Sequence, residues 1–195
     1  MRLHDVKHYK AVATSAMRDA LNGHEVVEAV YKRTGIRIRI LTGDEEASLI
    51  NVGQRAYALR IRKDCLFVDV GGGSTEVVVF AGGRPTAAIS FRIGTIRLLK
   101  DKVKKNEWKD LKRWLEKHTA GKPDLSLVGS GGNINRLFKL VGKASGSPMR
   151  RSELLSIVED LRETSIENRM QRYGLHPDRA DVIVPAGDIF LTIMS

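Results

Sequence analysis

The segment Asp69-Val70-Gly71-Gly72-Gly73-Ser74-Thr75-Glu76 constrains this chain more than any other. The apolar run Leu66-Phe67-Val68-Asp69-Val70 enters it and Glu76 to Phe80 leaves it, a pattern that predicts two buried strands joined by a glycine turn. Glycine permits positive φ and lets backbone N–H groups approach a ligand closely. Successive N–H groups in such a turn form an anion-binding nest, and Ser74 and Thr75 add hydroxyl donors. Asp69 and Glu76 bracket the turn. Two carboxylates beside a phosphate nest are what a hard cation such as Mg²⁺ needs, with other oxygen ligands and water completing its shell. No Gly-Lys-Ser/Thr follows, which excludes a Walker-type loop. A strand rather than a helix follows, which excludes the dinucleotide fingerprint.

The flanking sequence alternates strands with helices. Downstream, Ala81-Gly82-Gly83-Arg84-Pro85 closes the second strand and Thr86–Phe91 supplies a third, giving a meander. Upstream, residues 9–15 read as a strand, Asp19–Lys32 as a helix ending at Gly35, and Ile36–Leu41 as a half-buried strand. Thr42-Gly43-Asp44 is turn and N-cap chemistry, and Glu45–Leu59 reads as a helix with acidic residues in its first turn. Trp108–His118 is helical. Ser126–Val128 is a strand running into Gly129-Ser130-Gly131-Gly132 and a helix from Asn133. That second glycine turn is either structural or an anion or nucleoside-phosphate site at a helix N-terminus. Ser152–Met170 reads as one long helix, and 178–194 as helical or irregular, broken by Pro185 and Gly187. The alternation predicts an α/β class, and the change of pattern predicts a domain boundary near residues 60–65.

Charge needs an explanation, because the chain carries a formal +10. Lys100 to Lys122 holds nine basic and four acidic residues, half of that excess. Such a face suits a polyanion or is simply a solvated helix. Trp108 and Trp114, six apart, read as a packing face rather than a base-stacking platform, which argues against nucleic acid. The single cysteine, Cys65, makes no internal disulfide and reads as core. No apolar run is long enough to span a membrane and Met1–Asp5 has no signal-like region, so a cytoplasmic location is expected.

Five ordered segments resemble a known family: Val12-Ala13-Thr14-Ser15-Ala16-Met17-Arg18, Leu41-Thr42-Gly43-Asp44-Glu45-Glu46-Ala47, Val68 to Glu76, Ser90-Phe91-Arg92-Ile93-Gly94-Thr95-Ile96-Arg97-Leu98, and Leu127-Val128-Gly129-Ser130-Gly131-Gly132. Together they look like the Ppx/GppA phosphatases. The resemblance implies the actin-like ATPase superfold, built from two ribonuclease-H-like domains. It also implies Mg²⁺-assisted removal of the terminal phosphate of polyphosphate or guanosine pentaphosphate, and members that form homodimers. By the same resemblance Glu46 activates the attacking water, with adjacent Glu45 as the alternative base. Asp69 and Glu76 serve the metal and phosphate site, Gly71, Gly72, Gly73, Ser74 and Thr75 form the phosphate loop, and Thr14, Ser15 and Arg18 face the phosphate chain. Arg97 is either a further phosphate contact or a surface residue. A carboxylate within reach of water can take its proton, and an arginine can bind two phosphate oxygens at once.

Family members carry a first phosphate loop in their first domain, and nothing like it precedes residue 9. Residues 1–62 are therefore expected to match the C-terminal part of a first ribonuclease-H-like domain and 63–195 the second. Such a chain is either a fragment or a relative keeping half of the site. Its sheet remnant is expected to expose strand edges and favour self-association. A non-catalytic polyphosphate or alarmone-binding module and a kinase or ATPase of the same superfold are the alternatives to a hydrolase.

Overall fold

The computed structural model describes residues 5–46, 64–122, 125–144 and 147–195. Near the N-terminus β1 (Ala11–Ala13) pairs in parallel with β2 (Ile38–Ile40). Between them run α1 (Ser15–Asp19) and α2 (Gly23–Thr34). The helix expected over 19–32 is α2, which starts four residues later, while α1 takes in Ser15, the end of the strand expected over 9–15. Gly23 starts the second so close to the first that a β-carbon on it would lie 2.2 Å from the Met17 carbonyl oxygen. Residues 43–46 are helical, while the rest of the helix expected to Leu59 and most of the expected domain boundary lie outside the described residues.

The second sheet carries the site. Its strands are β3 (Cys65–Val70), β4 (Thr75–Ala81), β5 (Arg84–Phe91) and β6 (Ser126–Ser130), in the order β5-β4-β3-β6. The meander is antiparallel, and β6 adds to β3 in parallel. Parity sorts the side chains. Leu66, Val68, Val70, Val77 and Val79 face one large core shared with the helices. Cys65, Phe67, Val78 and Phe80 form a smaller cluster on the other face, where the Phe67 and Phe80 rings meet edge to face at 5.2 Å. Asp69 and Glu76 have the parity of that second face.

Helices cover the first face. They are α3 (Thr95–Leu99), α4 (Lys105–Thr119), α5 (Gly132–Leu140), α6 (Arg151–Glu163), α7 (Ile166–Tyr173), α8 (Pro177–Ala180) and α9 (Ile183–Ile193). In α4, Leu111 is buried, and Trp108 and Trp114 pack on the core, with the Trp114 ring against Phe91 at 6.2 Å. The lysines of α4 face outward. Leu154, Val158 and Leu161 of α6 are fully buried, each stabilising by about 1.5–3 kcal/mol relative to exposure.

Two helical expectations need correction. The long helix over 152–170 breaks at Thr164 because Ser165 caps a new helix, its Oγ accepting from the Asn168 N–H at 3.2 Å. Conversely, Pro185 and Gly187 do not break α9. Pro185 lies in its first turn, where the backbone N–H has no intrahelical partner to lose. Gly187 is where α9 presses on α6: a β-carbon there would lie 2.3 Å from Val158 Cγ2.

Candidate functional site

One rank of polar residues crosses the end of the larger sheet. Pairing sets Asp69 opposite Glu76, Glu76 opposite Ser90, and Asp69 opposite Ser130. Glu76 is buried, and Ser90 Oγ donates to its Oε1 at 2.8 Å. Burial pushes the Glu76 carboxyl above the ordinary glutamate value. Hydrogen bonds from Ser74 and Ser90 oppose the shift, and the charges of Glu46 and Asp69 add to it.

The turn between β3 and β4 is tight, with the Gly71 N–H donating to the Ser74 carbonyl at 2.9 Å. None of Gly71, Gly72 and Gly73 adopts positive φ, so the freedom invoked from the sequence is not what the turn uses. It uses space: a β-carbon on Gly73 would lie 2.3 Å from Ser15 Oγ. Carbonyls of the turn are occupied by α3, since the Thr95 and Ile96 N–H groups donate to Gly71 and Gly72 at 3.0 and 2.9 Å. The N–H groups of Gly72 and Gly73 have no partner among the described residues and are the donors this turn offers an anion. The two hydroxyls are committed internally. Thr75 Oγ1 donates to the Ile93 carbonyl at 2.6 Å, and Ser74 bonds Glu76.

The N-terminal elements meet this turn. Thr14 follows β1 and accepts at its carbonyl the Met17 and Arg18 N–H groups, which starts α1. This carries buried Ser15 onto Gly73 and turns Arg18 toward Glu46. Arg18 Nη1 donates to the Leu41 carbonyl at 2.6 Å and to Glu46 Oε2 at 3.2 Å. The adjacent acids divide their work. Glu45 closes a capping box, its Oε2 accepting the Thr42 N–H at 2.9 Å while Thr42 Oγ1 accepts the Glu45 N–H at 3.2 Å. Exposed Glu45 also pairs with Arg39, and these bonds hold its carboxyl below the ordinary value. Glu46 instead points inward and is nearly buried.

The second glycine turn divides as well. Gly129 packs against Ile134 and Phe190, a structural role. Gly131, with φ of 102°, passes so near Asp69 that a β-carbon there would lie 3.2 Å from Oδ1. Gly132 lies under the Arg179 guanidinium, whose Nη1 donates to its carbonyl at 3.2 Å.

Sequence reasoning left out Ser90 as a partner of Glu76, although strand parity across the meander places it there. It also left out Asp19, whose carboxylate takes both Arg97 and Arg92. Among the described residues no three His, Cys, Asp or Glu side chains stand close enough together to hold a metal ion. A Mg²⁺ held through one or two carboxylates plus substrate phosphates needs no such trio. The Glu76 carboxyl, pushed up by burial and further by the charges of Glu46 and Asp69, fits a site that a dication would relieve.

No helix among the described residues is long and apolar enough to cross a membrane. A family model described as the Ppx/GppA phosphatase family matches residues 2–195. Exopolyphosphatase 1 of Mycobacterium leprae is 29% identical over 195 residues, covering 89% of this chain and 57% of that protein. Exopolyphosphatase 1 of Mycobacterium tuberculosis H37Rv is likewise 29% identical, over 89% of this chain and 56% of its own length. The chain thus spans little more than half of these curated relatives. Among solved structures, an Aquifex aeolicus Ppx/GppA family member superposes with a TM-score of 0.71 at 28% identity, over 99% of this chain and 68% of that one. An exopolyphosphatase from Cytophaga hutchinsonii superposes with a TM-score of 0.75 at 19% identity, over 99% and 69%, a likeness of fold.

Proposed function

The chain belongs to the Ppx/GppA phosphatase family, and from that premise we propose that it hydrolyses the terminal phosphoanhydride of inorganic polyphosphate or of guanosine pentaphosphate, with Glu46 as the base and Mg²⁺ as the cofactor. One observation carries the reading. Ser15, Arg18 and Glu46 from the N-terminal elements meet the Gly71–Gly73 turn and the Asp69–Glu76 pair of the larger sheet.

The terminal phosphate lies against the free N–H groups of Gly72 and Gly73, which are fixed before substrate arrives and so cost little reorganisation. Arg18, already aimed at Glu46, exchanges part of that pairing for phosphate oxygens. Glu46 accepts a proton from the water whose oxygen attacks the terminal phosphorus, and the bridging P–O bond breaks with its electrons on the departing chain. Asp69 and Glu76 would hold Mg²⁺ together with substrate oxygens, which supplies neutralisation of developing charge.

The test is orthophosphate release from long-chain polyphosphate and from guanosine pentaphosphate, with and without Mg²⁺. Mg²⁺-dependent release supports the proposal, and the ratio of the two rates names the substrate. Binding of either compound without release leaves a sensor in place of an enzyme.

A further inference from the structure

Three successive carbonyls of the glycine turn are held by three successive residues of α3. The Thr95 N–H donates to Gly71 at 3.0 Å, the Ile96 N–H to Gly72 at 2.9 Å, and Arg97 Nε to Gly73 at 2.6 Å. The first N–H groups of a helix have no intrahelical partner, so the start of α3 is free to take these carbonyls. So close an approach needs glycine at position 94, where a β-carbon would lie 2.5 Å from the Gly72 carbonyl oxygen. In a planar trans peptide the carbonyl and the following N–H point in opposite directions. Holding the carbonyls of Gly71, Gly72 and Gly73 against α3 therefore turns the N–H groups of Gly72, Gly73 and Ser74 away from it. α3 is the backing of the anion nest.

The third bond differs from the other two, because a side chain makes it. The Arg97 backbone is fixed: its N–H reaches the Gly72 carbonyl at 3.3 Å and its carbonyl accepts the Lys102 N–H at 2.8 Å. The far end of the guanidinium is held by Asp19, to which Nη2 donates. The Arg97 and Asp19 side chains are only 15% and 28% exposed, so solvent competes little for this pair. Asp19 is the last residue of α1, and exposed Arg92 donates to its other oxygen at 3.0 Å. A planar guanidinium can serve two acceptors in a fixed geometry, which a lysine ammonium on a flexible stem does not reproduce.

We infer that Asp19 is a positioning residue for the phosphate-binding turn, acting through Arg97 on the Gly73–Ser74 peptide. Arg97 contributes by orienting a backbone dipole, with its charge balanced by Asp19, rather than by touching substrate. The inference rests on the hydrolase reading above. Asp19 belongs to the helix that also carries Ser15 and Arg18. The last peptide of the nest is therefore set only where that helix is docked, so the nest and Arg18 are brought to the phosphate together.

The test replaces Asp19 by Ala and by Asn, and Arg97 by Lys, together with the Asp19→Ala/Arg97→Lys double variant. Tm is measured on each to verify folding. Orthophosphate binding is titrated by calorimetry, and kcat and KM are read for polyphosphate. Asp19→Ala is expected to weaken orthophosphate binding severalfold and to lower kcat by about tenfold or more, although it makes the site more positive. Asp19→Asn keeps an oxygen that accepts from Arg97 and should recover most of both losses. Arg97→Lys should resemble Asp19→Ala, and the double variant should be no worse than either single one, since all break the same chain of bonds. Tighter orthophosphate binding in Asp19→Ala and Asp19→Asn alike would make Arg97 a direct anion contact and overturn the positioning role. Unchanged binding and kcat in Asp19→Ala, or additive losses in the double variant, would overturn it too. If the wild type releases no phosphate but orthophosphate binding follows the expected order, the positioning role stands and hydrolysis falls.

Discussion

Ser15 Oγ fills the space that a side chain on Gly73 would need, 2.3 Å from where its β-carbon would lie. The contact fixes the N-terminal elements against the turn and thereby sets where Arg18 and Glu46 stand relative to it.

Gly73→Ala is therefore expected to displace α1. The Ser15 β-carbon itself would be 2.9 Å from the added methyl, so rotating the hydroxyl does not relieve the clash. A misplacement of about 1 Å can cost on the order of 100-fold in rate. We expect kcat/KM to fall by about that factor, with partial recovery in Gly73→Ala/Ser15→Gly. Steady-state kinetics on the single and double variants checks this, and a fully active Gly73→Ala enzyme would refute the positioning role.

Arg18→Lys should retain charge but lose the two-point hold on the Leu41 carbonyl and Glu46. Phosphate release is expected to drop about 10²-fold or more, and Arg18→Ala further. Rates for both variants at saturating substrate check this.

Glu76 predicts a trade between stability and activity. Its folded value lies above its unfolded one, so the folded state takes up a proton first as pH falls. Acidification through the window between those two values favours the folded state, and the destabilising effect of the buried charge is fully present above it. Glu76→Gln should melt higher than wild type at neutral pH without divalent ions, by about 2–4 °C for each kcal/mol relieved, and should lose this advantage at pH below the ordinary glutamate range. Activity should fall. Calorimetry across pH checks the stability arm.

Gly187→Ala should destabilise the helical layer by about 1–3 kcal/mol through overpacking against Val158. Val158→Ala in the same chain should restore part of the loss. Urea titrations of the three proteins measure it.

The meander was legible because its signals are local: continuous apolar runs in β3 and β4, and glycine turns at both ends. The break before α7 was hidden because apolar spacing continues across Thr164 and Ser165. Only the Ser165 cap marks it, and a serine inside a helical pattern is a weak sign. Pro185 was misread because its effect depends on whether it stands in the first turn of a helix or in its interior. In the site, the glycine run and flanking acids stood out by spacing, and Glu46 and Arg18 by resemblance. The division of labour between Glu45 and Glu46 depended on the capping box at Thr42. The bonds of Asp19 to Arg92 and Arg97 join residues more than 70 positions apart, and no periodicity announces such a pair.

The most direct measurement of the central claim is phosphate release by Glu46→Gln beside wild type, with substrate binding measured on both. Glutamine keeps an oxygen that can accept from Arg18, so the fold and the phosphate contacts should survive while the base is lost. The account predicts a fall in kcat of about 10²–10⁴-fold with binding retained. Release within a few fold of wild type would contradict it, and would place the base elsewhere.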